Sequence, residues 1–290
     1  MNILVLGGSY FLGKHFIDMA KKEHKITVFN RGSRPLMIPD IVEISGERHD
    51  GNALLQIPQQ HFDAVVDFCA YNKNDIEFIF QNLKATFDQY IFISTCDAYK
   101  RGLGTVLDEN APFEEKDFGG EVGAYILGKV ALEKELISCA TSAGVKYTSI
   151  RPAFIYGPDN YAPREGMYFH WIESAGQIIH PTDATGEFQM VYVDDVAEAI
   201  FASIGNQAAY NQAFNLTPTP MVTYESFADA LEEAVSTPFV KVPITVQMVL
   251  QQQIPLPFPL TREESNWYDG TKALQLIKGY TPLAEGRKMC

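Results

Sequence analysis

A tyrosine and a lysine stand four positions apart in Ala124-Tyr125-Ile126-Leu127-Gly128-Lys129. On a helix this spacing puts both side chains on one face. A cationic Lys129 there favours the phenolate and lowers the pKa of a group that otherwise titrates about three units above neutrality. Tyr125 then becomes a proton donor and acceptor for a hydroxyl or carbonyl oxygen. The same spacing also arises where a tyrosine half-buries its ring and a lysine is solvated. The pair therefore acquires meaning from the elements that position it.

The chain opens on the apolar run Asn2-Ile3-Leu4-Val5-Leu6, followed at once by Gly7-Gly8-Ser9-Tyr10-Phe11-Leu12-Gly13 and a helical pattern over 11–22. Strand, glycine turn and helix in that order form the arrangement whose backbone amides and helix N-terminus hold a dinucleotide pyrophosphate. Further strand patterns lie at 25–29, 41–44, 63–68, 89–93 and 146–150, with a helix at about 74–85 and a helix bearing Tyr125 that runs to about 143. Near-continuous apolar strands separated by helices predict an α/β fold with a doubly wound, Rossmann-type parallel sheet covered on both faces.

Beyond Pro152 prolines become frequent and strands short, which predicts a smaller C-terminal mixed α/β lobe that completes a substrate cleft over the strand ends. The expected division is a dinucleotide-binding domain at 1–155 and a substrate-binding lobe at 156–290, with segments such as 188–206 returning to the first. The run Ile254-Pro255-Leu256-Pro257-Phe258-Pro259 reads as an ordered extended wall, or else as a linker.

The end of the second strand bears on the cofactor. An acid at that point accepts a hydrogen bond from the 2′-hydroxyl of NAD and repels a 2′-phosphate. Here Asn30 stands in its place, with Arg31 and Arg34 following. Two cations able to pair with a phosphate favour NADP(H), with NAD(H) as the alternative. A basic surface turn without cofactor preference is the other reading.

Composition limits the partners. The net charge is −13, with eight Lys and Arg against sixteen Asp and Glu from Arg151 onward. Such a surface does not suit a nucleic-acid backbone, and a nucleotide diphosphate held in this half relies on one or two placed arginines. No apolar run is long enough to cross a bilayer, and with the first strand beginning at Asn2 no secretory leader is expected. Cys69, Cys96, Cys139 and Cys290 have neither metal-site spacing nor the density of a disulfide scaffold. The expectation is a cytoplasmic protein with a small-molecule substrate, no metal, and no membrane or nucleic-acid partner.

Several motifs now stand in order: Gly7 to Gly13, the 63–70 strand, Ser94-Thr95 ahead of Tyr99, Tyr125 with Lys129, Arg151-Pro152-Ala153-Phe154-Ile155-Tyr156-Gly157-Pro158, Val193-Asp194-Asp195-Val196-Ala197, and Asp269-Gly270-Thr271-Lys272-Ala273. Together they resemble the extended short-chain dehydrogenase/reductase family of nucleotide-sugar epimerases, dehydratases and reductases. The glycine turn with Val28-Phe29-Asn30-Arg31-Gly32 is most similar to a bacterial epimerase/dehydratase-like subgroup, and also to plant chloroplast RNA-binding relatives.

The resemblance implies that Tyr125 exchanges a proton with the substrate while hydride moves to or from nicotinamide. It implies that Lys129 tunes the phenol and holds the nicotinamide ribose, and that Thr95 hydrogen-bonds the same substrate oxygen. It places Asp50 and Cys69-Ala70 near the adenine and ribose, offers Arg262 and Arg164 for a substrate diphosphate, and suggests a homodimer. Two departures stand out. Tyr10 replaces the middle glycine of the phosphate turn. Cys96-Asp97 follow Thr95 where the family's dehydratases carry Asp-Glu, which disfavours dehydration and leaves Asp97 to assist proton transfer or to cap its loop. Asp194 and Asp195 are expected to cap a helix from Val196, with Glu198 completing a capping box.

The implied function is an NAD(P)-dependent epimerase or reductase acting at a carbinol carbon, as in a nucleotide-linked sugar. The alternative is a cofactor-bound RNA-binding or regulatory protein on the same fold.

Overall fold

The computed structural model describes residues 1–288, so Cys290 lies outside the described residues. The first half alternates strand and helix: β1 (Asn2–Leu6), α1 (Phe11–Ala20), β2 (Lys25–Asn30), β3 (Val42–Ser45), α2 (Gly51–Leu54), β4 (His61–Asp67), α3 (Asp75–Asn82) and β5 (Thr86–Ile93). Then come β6 (Val106–Leu107), the long α4 (Gly120–Ala143), β7 (Lys146–Pro152), β8 (Phe154–Tyr156), α5 (Glu165–Ala175), β9 (Gln177–Pro181), β10 (Met190–Tyr192) and α6 (Val193–Ser203). The chain closes with β11 (Gln212–Leu216), α7 (Tyr224–Ala234), β12 (Val240–Ile244), α8 (Val246–Gln251), β13 (Trp267–Tyr268) and α9 (Leu283–Lys288).

Seven strands form one parallel sheet in the order β11-β7-β5-β4-β1-β2-β3. The order reverses between β1 and β4, and at such a switch point a crevice opens beyond the C-terminal strand ends. Alternation along β1 serves both faces. Ile3 and Val5 pack with Phe16 and Ile17 of α1 and with α6, whereas Leu4 and Leu6 pack with Phe62, Tyr90 and, from α4, Leu132 and Leu136. Two buried faces explain why the strands read as unbroken apolar runs. The last strand of the sheet, β11, comes from beyond 188–206, and α6 packs on α1.

The C-terminal half adds the pairs β8–β10 and β9–β12 with α5, α7 and α8 around them, and their apolar residues join the same core cluster as β1, α1 and α6. The proline-rich 254–259 run has no regular structure and is anchored by Phe258, which stacks on Phe188 with centroids 4.1 Å apart. Two boundaries differ from the sequence pattern. Helix α1 stops at Ala20, whereas α4, from Gly120, ends at Ala143 as expected. Helix α6 starts at Val193, and neither aspartate caps it: Asp194 pairs with His15 Nδ1 at 2.6 Å, and Asp195 accepts from the Thr281 N–H and hydroxyl at 2.7 Å each.

Candidate active site

Three elements meet at the switch point, beginning with the glycine turn between β1 and α1. Gly7 and Gly8 both have φ +80°, a region that disfavours side chains. A Cβ on Gly13 would lie 2.3 Å from Gly8 Cα, so only glycine lets α1 start this close to the turn. The N–H groups of the first helical turn, from Phe11 and Leu12, have no acceptor within the helix and open toward the cleft that these residues line. Tyr10 sits at the N-cap with φ −130° and ψ 153°, an extended conformation that does not require glycine, which is how the turn survives the replacement. Its ring carries the Arg34 guanidinium at 4.4 Å and meets Tyr161 edge-on at 5.9 Å.

Contacts from the second lobe continue along α1. Tyr161 also meets Phe11, Lys14 pairs with Asp159 at 2.6 Å, and His15 Nε2 approaches the Pro158 carbonyl at 3.2 Å. The segment 158–161 therefore crosses over the start of α1 and fastens the two lobes together.

The cleft wall at the end of β2 differs from expectation. Asn30 is buried at the end of β2, its Oδ1 accepting from Gly32 N–H and its Nδ2 donating to Glu43 Oε1, both at 2.7 Å. Arg31 and Ser33 line the cleft, whereas Arg34 is drawn aside onto Tyr10. Asp50 is not part of the wall: it caps α2 by accepting from Asn52 N–H at 2.9 Å, and Gly46-Glu47-Arg48-His49 stand there instead.

Arg48 is a residue the sequence did not flag. Its guanidinium is buried, donates to both oxygens of Asp67 at 3.1 and 2.9 Å, and reaches the Asp75 carbonyl at 2.7 Å. Burial opposes the charges of this pair, but their mutual attraction holds Asp67 below the usual carboxylate range and keeps Arg48 protonated. Tyr90 completes the network by donating to Asp67 at 2.5 Å. Cys69 lines the cleft with its thiol pushed up to about 12 by burial and by Asp67, so it is a neutral wall rather than a nucleophile. Ala70 contributes its carbonyl, described next.

At the C-terminal end of β5, Thr95 is buried and caps the short turn at Cys96–Ala98, its hydroxyl accepting from Asp97 N–H at 3.1 Å. Helix α4 lies alongside, held close because Gly128 faces the Tyr71 carbonyl where a Cβ would come within 2.4 Å. That approach brings Tyr125 and Lys129 to the same cleft as Thr95. Lys129 is only 3 % exposed, and its ammonium donates to the Ala70 and Ile93 carbonyls at 2.9 and 2.8 Å. An ammonium carries three protons, so one remains for a ligand. Burial lowers the Lys129 pKa to about 8, against the partial support of Asp67.

The expected tuning of the phenol takes a different form. Burial and the Asp97 carboxylate push Tyr125 up, and the groups that oppose them are the Thr95 hydroxyl and the Arg164 cation. Lys129 lies 5.9 Å from the Tyr125 ring centroid, held back by its two carbonyls. Tyr71, also not anticipated, covers the ammonium at 4.7 Å.

On the substrate side, Asp97 forms an ion pair with Arg101 at 3.1 Å. Arg164 lines the cleft with its guanidinium over Phe154 at 5.0 Å. Glu165, next in the chain, turns its carboxylate to Gly157 N–H and Asn160 Nδ2 instead of to that cation. Arg262 is not brought to the cleft wall; it lies over Trp267 at 5.1 Å. The whole cleft encloses about 870 Å³, toward the upper end of the roughly 300–1,000 Å³ typical of small-molecule sites.

Residues 3–217 match the model of the NAD dependent epimerase/dehydratase family. The chain belongs to that family. Its fold is similar to that of UDP-glucose 4-epimerase from Thermotoga maritima, with a TM-score of 0.74 and 21 % identity, covering 100 % of this chain and 97 % of that one. It is also similar to dTDP-glucose 4,6-dehydratase from Bacillus anthracis in complex with NAD, with a TM-score of 0.77 and 16 % identity, covering 100 % and 94 %. The chloroplast stem-loop binding protein of 41 kDa b from Arabidopsis thaliana is 30 % identical over 248 residues, 80 % of this chain and 62 % of that protein. The chain thus spans less than two thirds of the length of that relative. No helix among the described residues is long and apolar enough to cross a membrane.

The residues present fit the family's dinucleotide. The glycine cradle would be filled by any Cβ, the first turn of α1 offers free N–H groups, and the Lys129 ammonium keeps one proton.

Proposed function

We propose that this protein is a nicotinamide-dinucleotide-dependent epimerase or reductase that acts at a carbinol carbon of a nucleotide-linked sugar. The observation that carries the reading is the meeting of Tyr125, Thr95 and Lys129 in one cleft with the glycine cradle. When bound, the dinucleotide supplies the hydride acceptor and donor. Gly7 to Gly13 would hold its pyrophosphate, Arg31 and Ser33 would face the adenosine ribose, and Lys129 would donate to the nicotinamide ribose. The NAD dependence of the family and the NAD bound to the Bacillus anthracis neighbour support NAD over the NADP(H) that Arg31 and Arg34 suggest.

Tyr125 moves the proton at the substrate oxygen. A phenol is already protonated at neutral pH, the state that donates to a carbonyl oxygen, and here its pKa is pushed further up. Taking a proton from a hydroxyl requires the phenolate, which Thr95 and Arg164 favour. Arg164, free of Glu165, is suited to an anionic group of the substrate such as a diphosphate. Elimination of water stays disfavoured, since Asp97, the carboxylate that follows Thr95 in the chain, is engaged by Arg101. A homodimer through α4, on which Val122 and Ile137 are exposed, and a cytoplasmic setting belong to the same proposal.

Incubation with NAD or NADP and a panel of nucleotide sugars tests this. A reductase changes absorbance at the nicotinamide band, and an epimerase changes the sugar without it. No conversion of any sugar, with Tyr125→Phe indistinguishable from the parent, would remove the enzyme reading.

The likeness to a stem-loop binding protein favours RNA binding as a second reading. The net charge of −13 weighs against it. RNA affinity that falls steeply with salt and is unchanged in Tyr125→Phe would establish it.

A further inference from the structure

The amide of Asn30 is held from both sides at the end of β2, and what holds it is a carboxylate from the neighbouring strand. Glu43 lies on β3, in register with Val28. Its Oε1 accepts from Asn30 Nδ2 at 2.7 Å, and its two oxygens share the Leu36 N–H at 3.3 and 3.2 Å. On the other side Gly32 N–H donates to Asn30 Oδ1. The loop 31–36 is thereby tied at Leu36 to the carboxylate of Glu43, which is itself exposed. Among the described residues no Lys, Arg or His comes within 4.0 Å of that carboxylate to neutralise it.

This geometry has two effects at the adenosine end. It orients the Asn30 amide so that one of its two N–H groups is taken by Glu43 and the other is left for a ribose oxygen. It also sets an unneutralised negative charge one side chain away from the cleft that Asn30 and Arg31 line.

We propose that Glu43 selects the cofactor: its carboxylate, acting through Asn30, accepts a dinucleotide with a free 2′-hydroxyl and rejects one with a 2′-phosphate. The acid that the end of β2 lacks is supplied by β3. Arg31 attracts either dinucleotide, and Glu43 offsets that attraction where a phosphate would add further negative charge. The inference rests on the dinucleotide reading above and adds to it the residue that discriminates. Glu43 is a positioning residue: it orients the Asn30 amide, and its charge bears on the cleft from one side chain away.

The test is a set of equilibrium dissociation constants for NAD and NADP with the parent protein, Glu43→Gln and Arg31→Gln, at low and high salt. Thermal melting of each variant accompanies them. Glutamine keeps an acceptor for Asn30 and Leu36, so the loop can stay folded while the charge is lost. The parent should prefer NAD, and Glu43→Gln should tighten NADP about tenfold or more while moving NAD less than about threefold, with the difference shrinking as salt screens the charge. Arg31→Gln should weaken both dinucleotides. An unchanged NADP-to-NAD ratio in Glu43→Gln, equal weakening of both, or a parent that prefers NADP overturns the assignment and leaves the dinucleotide reading standing. A parent that binds neither dinucleotide overturns both.

Discussion

The Lys129 ammonium lies closer to the ring of Tyr71 than to that of Tyr125, with centroids at 4.7 and 5.9 Å. Two backbone carbonyls, from Ala70 and Ile93, fix it there. The lysine is thus tied to the ends of β4 and β5, and its charge belongs to the floor of the cleft.

That burial has a pH signature. Lys129 is held at about 8 against an ordinary 10.5, so between those values the unfolded chain carries a proton that the folded protein has released. The cost of burying the ammonium is full below about pH 8 and is relieved as pH rises toward 10.5, so this residue makes stability climb across that window. Lys129→Met, which carries no proton, should show no such climb. Urea unfolding at pH 7.0 and 9.5 would measure it. Activity should move the other way, falling on the basic side near pH 8 as the donor to the ribose loses its charge.

Replacing Tyr125 by Phe removes only the hydroxyl from the ring. The rate should fall at least about a hundredfold, the usual scale for a general acid or base, with dinucleotide affinity little changed. Steady-state kinetics beside a binding titration separates the two, and similar turnover in the variant would take the phenol out of the chemistry.

At Gly13 the added methyl of alanine would press on Gly8 Cα at 2.3 Å, backbone that can yield only by lifting α1 from the turn. Gly13→Ala should cost about 1–3 kcal/mol of stability by overpacking and should weaken dinucleotide binding as well. Thermal melting with and without dinucleotide would show a smaller ligand-induced rise in Tm than in the parent.

Near the turn at Cys96–Ala98, Glu133 accepts from Arg151 at 2.8 and 2.9 Å and from Ser149 at 2.6 Å, and Arg151 in turn donates to the Tyr99 hydroxyl at 2.7 Å. Removing one partner strands a buried charge. Arg151→Met alone should cost about 3–5 kcal/mol, whereas Glu133→Leu with Arg151→Met together should cost less than the sum of the single changes. Denaturant titration of the three variants would decide it.

The parallel sheet was legible because strands buried on both faces must be apolar throughout, and β1, β4 and β5 lie within a few residues of their apolar runs. The glycine turn and the Tyr125/Lys129 face were legible for a similar reason, since each depends on local spacing. What escaped depends on partners far along the chain. Nothing near Glu43 announces that it will meet Asn30, and nothing near Arg48 announces Asp67. Asp50 and Arg262 look suitable by position, but each found a local occupation, one as a helix cap and the other over an indole. Asp194 and Asp195 were likewise claimed by His15 and Thr281. The shift on the phenol was hidden as well, because spacing tells which face a lysine occupies and not which carbonyls will capture its ammonium.

The crossing of 158–161 over α1 makes three kinds of contact: Lys14 with Asp159, His15 with the Pro158 carbonyl, and Tyr161 against Tyr10 and Phe11. Dissolved ions weaken the first kind and leave the aromatic edges untouched. Lifting this segment from α1 must break them all, so the crossing loosens with ionic strength but does not come undone by it.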